Sequence, residues 1–238
     1  MIRQLAHLAI LAARALGVCA IVFCTLGGTQ ARAAQLTSLP TSEDSPWEQS
    51  IAAFAAADSK HAPPSGGVVF VGSSSIRLWG DLETQLSDAR VINRGFGGAK
   101  LSDCTRYLDR LVLPYRPRLI VVYAGDNDLA EGRDPKDVFN EFVQFVERVR
   151  KALPDTPIHY ISIKPSPGRA SLIPKVRETN KLIVQFIAAA DNLVFIDVFT
   201  PMLDAAGKPR RELFREDALH LNSAGYKLWA TIIGPHVR

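Results

Sequence analysis

Cysteine is scarce in this sequence, and its placement excludes a disulfide-stabilised domain. The 238 residues contain three cysteines, at positions Cys19, Cys24 and Cys104. The first two lie in an N-terminal segment with the order of a secretory signal, so one cysteine remains after cleavage. A single thiol cannot form an internal disulfide. The folded part must therefore be held together by its apolar core.

A long apolar run is also missing. The main candidate, residues 15–26, is short against the roughly 20 residues of a membrane-spanning helix. Arg3 and Arg14 precede this run, and small residues ending at Ala33 follow it. This order predicts a signal peptide at 1–33, export to the periplasm or the medium, and no stable membrane anchor. An uncleaved anchor is the alternative.

Basic runs are absent although the formal net charge of the whole chain is +4. Cleavage after Ala33 removes three arginines and no acidic residue, which leaves +1. Aromatic residues do not alternate with Lys or Arg, so no nucleic-acid partner is expected. Gly95–Gly98 lacks the Gly-Lys-Ser/Thr ending of a phosphate loop, and no His/Cys spacing is typical of zinc. We expect no cofactor and no metal.

Short apolar runs rich in β-branched residues alternate with amphipathic segments along the rest of the chain. The runs lack polar alternation, which is typical of strands buried on both faces: VVFV (68–71), RVIN (90–93), RLIVVYA (118–124), IHYISI (158–163) and LVFIDV (193–198). Helices are predicted at 47–57, 135–153, 172–190 and 223–233.

Alternating strands and helices favour a parallel sheet with helices on both faces. The predicted fold is a three-layer α/β/α, flavodoxin-like sandwich with a parallel five-stranded sheet. We assign residues 47–238 to this domain and 34–46 to a flexible N-terminal segment. Binding groups in such folds gather beyond the carboxyl ends of the strands.

Polar and glycine-rich clusters follow the predicted strands. Gly72–Ser75, Arg94–Gly98 and Gly125–Asp128 follow the first three, and a longer loop after the last strand contains Asp217–His220. The loop Lys164–Arg169, after the fourth strand, could shape a pocket beside them. A hydroxyl, backbone donors, an amide, a carboxylate and an imidazole are thus expected at one edge of the sheet.

Together these groups are suited to acyl transfer. A serine hydroxyl needs a neighbouring base, and His220 is the best placed of five histidines. Asp217 is three residues earlier, close enough to accept from Nδ1–H and leave Nε2 free for the serine. Gly98, Asn127 and the N–H of Ser74 suit the stabilisation of an oxyanion.

Four sequence blocks carry a resemblance to a known family. The chain resembles the SGNH hydrolases, also called GDSL esterases, whose blocks occur here in order and span residues 70–226. The matching segments are Gly72-Ser73-Ser74, Asn93–Gly98, Gly125-Asp126-Asn127-Asp128 and Asp217-Ala218-Leu219-His220. The resemblance implies Ser74 as nucleophile, Asp217 and His220 as its partners, and Ser74, Gly98 and Asn127 as the oxyanion hole.

One position departs from the family pattern. Ser73 stands where the family more often has Asp, which leaves substrate preference and the local loop geometry open. Ser73 and Ser75 are also immediate neighbours of Ser74, so the choice of nucleophile among the three stays open at this stage.

The sequence thus predicts an exported serine esterase that acts on a small-molecule, glycan or lipid ester. The segment GSSSIRLW resembles the branch related to platelet-activating-factor acetylhydrolase-like enzymes, which favours short acyl groups such as acetyl. Lysophospholipids and thioesters are alternative substrates. A module that binds acylated glycan or lipid without catalysis is the alternative from another functional class.

Overall fold

A computed structural model describes residues 45–238 of the chain. The predicted signal peptide and all but the last two residues of the predicted segment 34–46 lie outside this range. These assignments therefore stay predictions. Within residues 45–238, no helix is both long enough and apolar enough to cross a membrane.

Five parallel strands form one sheet in the order β2-β1-β3-β4-β5. Their bounds are β1 Val68–Gly72, β2 Val91–Gly95, β3 Leu119–Tyr123, β4 Ile158–Ile161 and β5 Leu193–Ile196. All five lie where the apolar runs predict them. β2 begins one residue later than predicted because Arg90 has a left-handed backbone, with φ of 50°.

Nine helices connect or flank the strands in the described part of the chain. Their bounds are α1 Glu48–Lys60, α2 Ser74–Arg77, α3 Leu82–Gln85, α4 Leu101–Arg106, α5 Leu108–Leu111, α6 Asp126–Ala130, α7 Pro135–Ala152, α8 Ile173–Ala188 and α9 Ser223–Ile233. The predicted helix at 172–190 is thus α8, preceded by a 3₁₀ segment at Pro167–Leu172. The predicted helix at 47–57 extends to Lys60.

The sheet is covered on both faces. Along β1, Val69 and Val71 pack into one apolar cluster with α4, α5, α7 and α8. Val68 and Phe70 point to the other face and pack with α2, α3 and α9. All residues of β1 and β3 are buried, which explains the absence of polar alternation in the sequence. The predicted three-layer α/β/α fold is confirmed.

The strand order creates one reversal point beside β1. The chain passes from β1 outward to β2 and then returns to add β3 on the other side of β1. Loops that leave β1 and β3 therefore diverge at their carboxyl ends and open a crevice, the usual ligand position in this architecture. The serine triplet follows β1, and Gly125–Asp128 follows β3.

Candidate active site

A sharp turn places Ser74 at the crevice. Gly72 ends β1 with φ of +148°, and a Cβ at this position would lie 2.0 Å from the Tyr123 carbonyl oxygen. Ser73 is extended and fully buried, and its N–H donates to the same carbonyl oxygen at 3.0 Å. Ser74 then begins α2 and keeps part of its surface exposed.

Ser74 is hydrogen-bonded to His220 across the crevice. The Ser74 Oγ lies 3.1 Å from His220 Nε2, although the two residues are 146 positions apart in the chain. His220 Nδ1 lies 2.7 Å from Asp217 Oδ2. The carboxylate, the imidazole and the hydroxyl thus form one continuous chain of hydrogen bonds. Ser73 and Ser75, whose side chains are fully buried, have no hydrogen bond to His220.

The loop itself holds the Asp217 carboxylate in place. Its Oδ1 accepts from the backbone N–H groups of Leu219 and His220, both at 2.9 Å. The hydrogen bond from the His220 side chain, with those from the two backbone N–H groups, holds the pKa of Asp217 well below its usual range. The carboxylate therefore remains ionised near neutral pH, as an imidazole that receives a proton requires.

Three hydrogen-bond donors lie in the loops that follow β1, β2 and β3. The backbone N–H groups of Ser74 and Gly98 have no acceptor among residues 45–238. Asn127, in the first turn of α6, donates through Nδ2 to the Ala99 carbonyl oxygen at 3.0 Å, which brings its amide against the Gly98–Ala99 loop. The structure therefore brings Asn127 next to Gly98.

Two contacts hold the Gly95–Gly98 loop. The Phe96 N–H donates to the Gly72 carbonyl oxygen at 2.9 Å, which ties the loop to the serine turn. Trp47, just before α1, donates through Nε1 to the Gly97 carbonyl oxygen at 2.6 Å. Sequence reasoning does not assign Trp47 to the site, because nothing in the apolar segment around it distinguishes this residue from an ordinary core position.

The loop Lys164–Arg169 contributes more than the sequence indicates. Arg169 donates to the Asn127 Oδ1 at 3.0 Å and to the Asp126 carbonyl oxygen at 2.8 Å. The Gly168 N–H donates to the Ala218 carbonyl oxygen at 2.8 Å. The sequence places this loop at the correct edge of the sheet, but no motif identifies its partners.

Asp128 is a buried carboxyl group that touches no part of the hydrogen-bond chain above. Burial raises its pKa to about 7, although hydrogen bonds from its own backbone N–H and that of Leu101 oppose the shift. The charged form is therefore disfavoured in the folded protein relative to the unfolded chain. Stability from this group is present in full below about pH 4 and declines as the pH rises through 7.

Replacing Asp128 with asparagine is expected to remove this pH dependence. Asparagine keeps an oxygen that can accept from the Leu101 N–H but cannot ionise. The free energy of unfolding of the wild type should fall as the pH rises, and that of Asp128→Asn should lack this fall. The difference in favour of the variant should grow to about 4 kcal/mol at pH 8. Urea unfolding from pH 4 to pH 8 measures this difference. Parallel curves for the two proteins would contradict the assignment.

Comparison with known proteins identifies the family. The model of the GDSL-like lipase/acylhydrolase family matches residues 40–228, and this chain belongs to that family. The expected family resemblance is confirmed, and the protein is a carboxylic ester hydrolase. Comparison with curated proteins gives no match.

Solved structures share the fold. A protein from Streptococcus pneumonia, provisionally described as a platelet activating factor, has a TM-score of 0.70 at 21% identity over 80% of this chain and 92% of its own. A GDSL-like lipase from Bacteroides thetaiotaomicron has 0.66 at 20% identity over 79% and 96%. A carbohydrate esterase family 3 protein from Talaromyces cellulolyticus has 0.59 at 19% identity over 72% and 95%.

Proposed function

We propose that this protein is an exported serine esterase that removes short acyl groups, above all acetyl, through Ser74, His220 and Asp217. The observation that carries the proposal is the unbroken chain of hydrogen bonds from Asp217 through His220 to the partly exposed Ser74 hydroxyl. In a family of ester hydrolases, such a chain supplies an activated nucleophile at neutral pH.

In the proposed first half-reaction, Ser74 Oγ attacks the ester carbonyl carbon while His220 Nε2 takes its proton. The carbonyl oxygen becomes an oxyanion, which accepts from the N–H groups of Ser74 and Gly98 and from Asn127 Nδ2. The oxyanion then collapses and breaks the bond between the acyl carbon and the alcohol oxygen, which takes the proton from His220 Nε2, so the acyl group remains on Ser74 Oγ. Removing a single oxyanion donor of this kind typically lowers the rate by about 10²- to 10³-fold.

In the second half-reaction, water replaces the alcohol. His220 Nε2 takes a proton from the water. The water oxygen attacks the carbonyl carbon of the acyl group that is bonded to Ser74 Oγ. The oxyanion forms again at the same donors and collapses, which breaks the bond to Ser74 Oγ. The acid leaves, and His220 returns the proton to the serine. Throughout both half-reactions Asp217 holds the imidazole by Nδ1 and stabilises its protonated form.

Side-chain exposure at the site supports a substrate with a large alcohol portion. The Asp217 side chain is 47% exposed and that of His220 is 26% exposed, so the acid–base side opens to solvent. An acetylated carbohydrate could keep most of its alcohol portion outside such a cleft while the acyl carbonyl reaches Ser74. The carbohydrate esterase among the similar folds is consistent with this substrate class.

A fluorophosphonate probe and an acyl-length series test the proposal. The folded protein should be labelled at Ser74, whereas a urea-unfolded sample should not be. For p-nitrophenyl esters, kcat/KM should be highest for acetyl or propionyl and fall at least about 10-fold by octanoyl. A folded protein that takes no label would favour a non-catalytic binding module. A maximum at long acyl chains would contradict the short-acyl assignment.

Export is part of the same proposal. It is supported by the order of Arg3 and Arg14, the apolar run 15–26 and the small residues ending at Ala33. N-terminal sequencing of the protein from fractionated cells tests this assignment, since cleavage leaves Ala34 as the first residue. Recovery of the intact chain from the cytoplasm would contradict it.

A further inference from the structure

A charged cluster is buried directly behind Asn127. Lys164 and Asp126, which follow β4 and β3, are only 2% and 5% exposed. The Lys164 Nζ donates to Asp126 Oδ2 at 3.0 Å and to the Tyr123 hydroxyl at 3.1 Å. Burying two charged groups costs several kcal/mol per ion unless both are paired and hydrogen-bonded. The proposed chemistry at Ser74 uses neither group directly, so the cluster needs another explanation.

Arg169 connects this cluster to Asn127. Its Nη1 donates to the Asp126 carbonyl oxygen at 2.8 Å and lies 3.5 Å from the Asp126 Oδ2. Its Nη2 donates to the Asn127 Oδ1 at 3.0 Å. Both terminal nitrogens of the guanidinium therefore have partners within the protein, and the side chain is only 22% exposed. This arrangement is unfavourable for direct capture of a substrate anion.

The cluster carries a net positive charge. Burial, the largest single effect, raises the pKa of Asp126, but the charges of Lys164 and Arg169 and the hydrogen bonds from Lys164 and Tyr123 together hold the pKa below its usual value. Asp126 is therefore ionised, and the single carboxylate faces two cations. Lys164, Arg169 and Asp126 thus form a group with a formal charge of +1, which adjoins Asn127 through the side chain of Arg169.

Contacts on both sides of Asn127 fix the orientation of its amide. Its oxygen accepts from Arg169, and its nitrogen donates to the Ala99 carbonyl oxygen. Turning the amide by 180° would bring its NH₂ against the guanidinium and its oxygen against a carbonyl oxygen, and both contacts are repulsive. One N–H of Asn127 faces Ala99, and the second remains for a ligand.

We propose that Arg169 is a positioning residue of the oxyanion hole, which holds and polarises the Asn127 amide so that its free N–H meets the oxyanion. The inference rests on the proposed role of Asn127. A hydrogen bond accepted at Oδ1 strengthens the donor at Nδ2, since linked hydrogen bonds polarise one another. The adjoining Gly168 N–H anchors the same loop to the Ala218 carbonyl oxygen, beside Asp217 and His220.

Steady-state kinetics of Arg169 variants with p-nitrophenyl acetate test the inference. Arg169→Met should lower kcat by about 10- to 100-fold and change KM by less than about 3-fold. Arg169→Lys keeps the charge and one donor but cannot reach Asp126 and Asn127 through two nitrogens at once. Its loss of kcat should therefore be smaller than that of Arg169→Met. If Arg169→Met does not fold, Arg169→Lys carries the test with a loss of about 3- to 10-fold.

Arg150 offers a matched control at the other end of the sheet. It donates to the carbonyl oxygens of Thr156 and Asn192, just before β4 and β5, at 2.6 and 3.1 Å. Arg150→Met therefore removes an arginine that also bridges two loops, but far from the carboxyl ends of the strands. This variant should keep both kcat and KM.

A double-mutant cycle separates positioning from an independent effect. Asn127→Ala should lower kcat by about 10²- to 10³-fold, and adding Arg169→Met should lower it by less than about 2-fold more. If kcat of the double variant falls by the product of the two single-variant factors, the inference is wrong. It is also wrong if Arg169→Met raises KM and leaves kcat unchanged. Wild-type activity of Asn127→Ala would instead contradict the proposed oxyanion hole. Normal Arg169→Met activity beside an impaired Asn127→Ala variant would overturn only the inference.

Discussion

The Ser74→Ala variant is expected to lose ester hydrolysis, with kcat lowered by about 10⁴-fold or more. The Ser74 hydroxyl is the one that lies 3.1 Å from His220 Nε2, and methyl cannot form the acyl intermediate. Folding should be intact, because Ser74 occupies the first position of a short helix and its side chain is partly exposed. Hydrolysis of p-nitrophenyl acetate and circular dichroism measure the two properties.

The neighbouring serines provide the controls. Ser73→Ala and Ser75→Ala each remove a hydroxyl from a fully buried side chain that has no hydrogen bond to His220 within residues 45–238. Both variants should keep kcat within about 10-fold of wild type and should still be labelled by a fluorophosphonate probe. An inactive Ser73→Ala or Ser75→Ala beside an active Ser74→Ala would assign the nucleophile to that neighbour.

Gly72→Ala is expected to lower the free energy of unfolding by about 3–5 kcal/mol and to abolish activity. The new Cβ would lie 2.0 Å from the Tyr123 carbonyl oxygen and 2.8 Å from its carbonyl carbon. β1 is paired along its length with β3, so neither backbone can move away without breaking sheet hydrogen bonds. The residue also has φ of +148°, a conformation that alanine rarely adopts.

Gly132→Ala separates the steric clash from the backbone strain. Gly132 also has a positive φ, +94°, but a Cβ there would meet no atom within 4 Å. Its substitution should therefore show the strain alone, about 1–3 kcal/mol, and leave activity close to wild type. Urea unfolding of both variants measures the difference. Equal losses would show that the close approach of Gly72 to β3 does not contribute.

The strands and the four longest helices, α1, α7, α8 and α9, can be predicted from the sequence because burial leaves a local pattern. Leu119–Tyr123 reads as a continuous apolar run since both faces of β3 are covered. Pro135 marks the first turn of α7 for a different local reason, because a proline there needs no N–H partner and already has a helical φ. Boundaries are harder to predict: the left-handed backbone of Arg90, which delays β2, has no signal in its residue type.

The candidate site is predictable where its chemistry is contained in a short motif. The spacing of Asp217 and His220 suffices to predict that the carboxylate meets Nδ1, and the structure has this arrangement. The contacts of Arg169 with Asn127 and of Trp47 with Gly97 could not be predicted in this way. They join residues 42 and 50 positions apart, and neither pair belongs to a common local pattern.

The sequence by itself determined the fold class, the edge of the sheet at which polar groups gather, and the residue types available for acyl transfer. These properties follow from hydrophobic periodicity and from motifs a few residues long. Only the tertiary structure showed that Ser74, which the family resemblance implies, is the serine that meets His220, and that Arg169 donates to the Asn127 amide oxygen. Such contacts depend on the directions in which separate loops leave the sheet, and packing of the whole domain sets those directions.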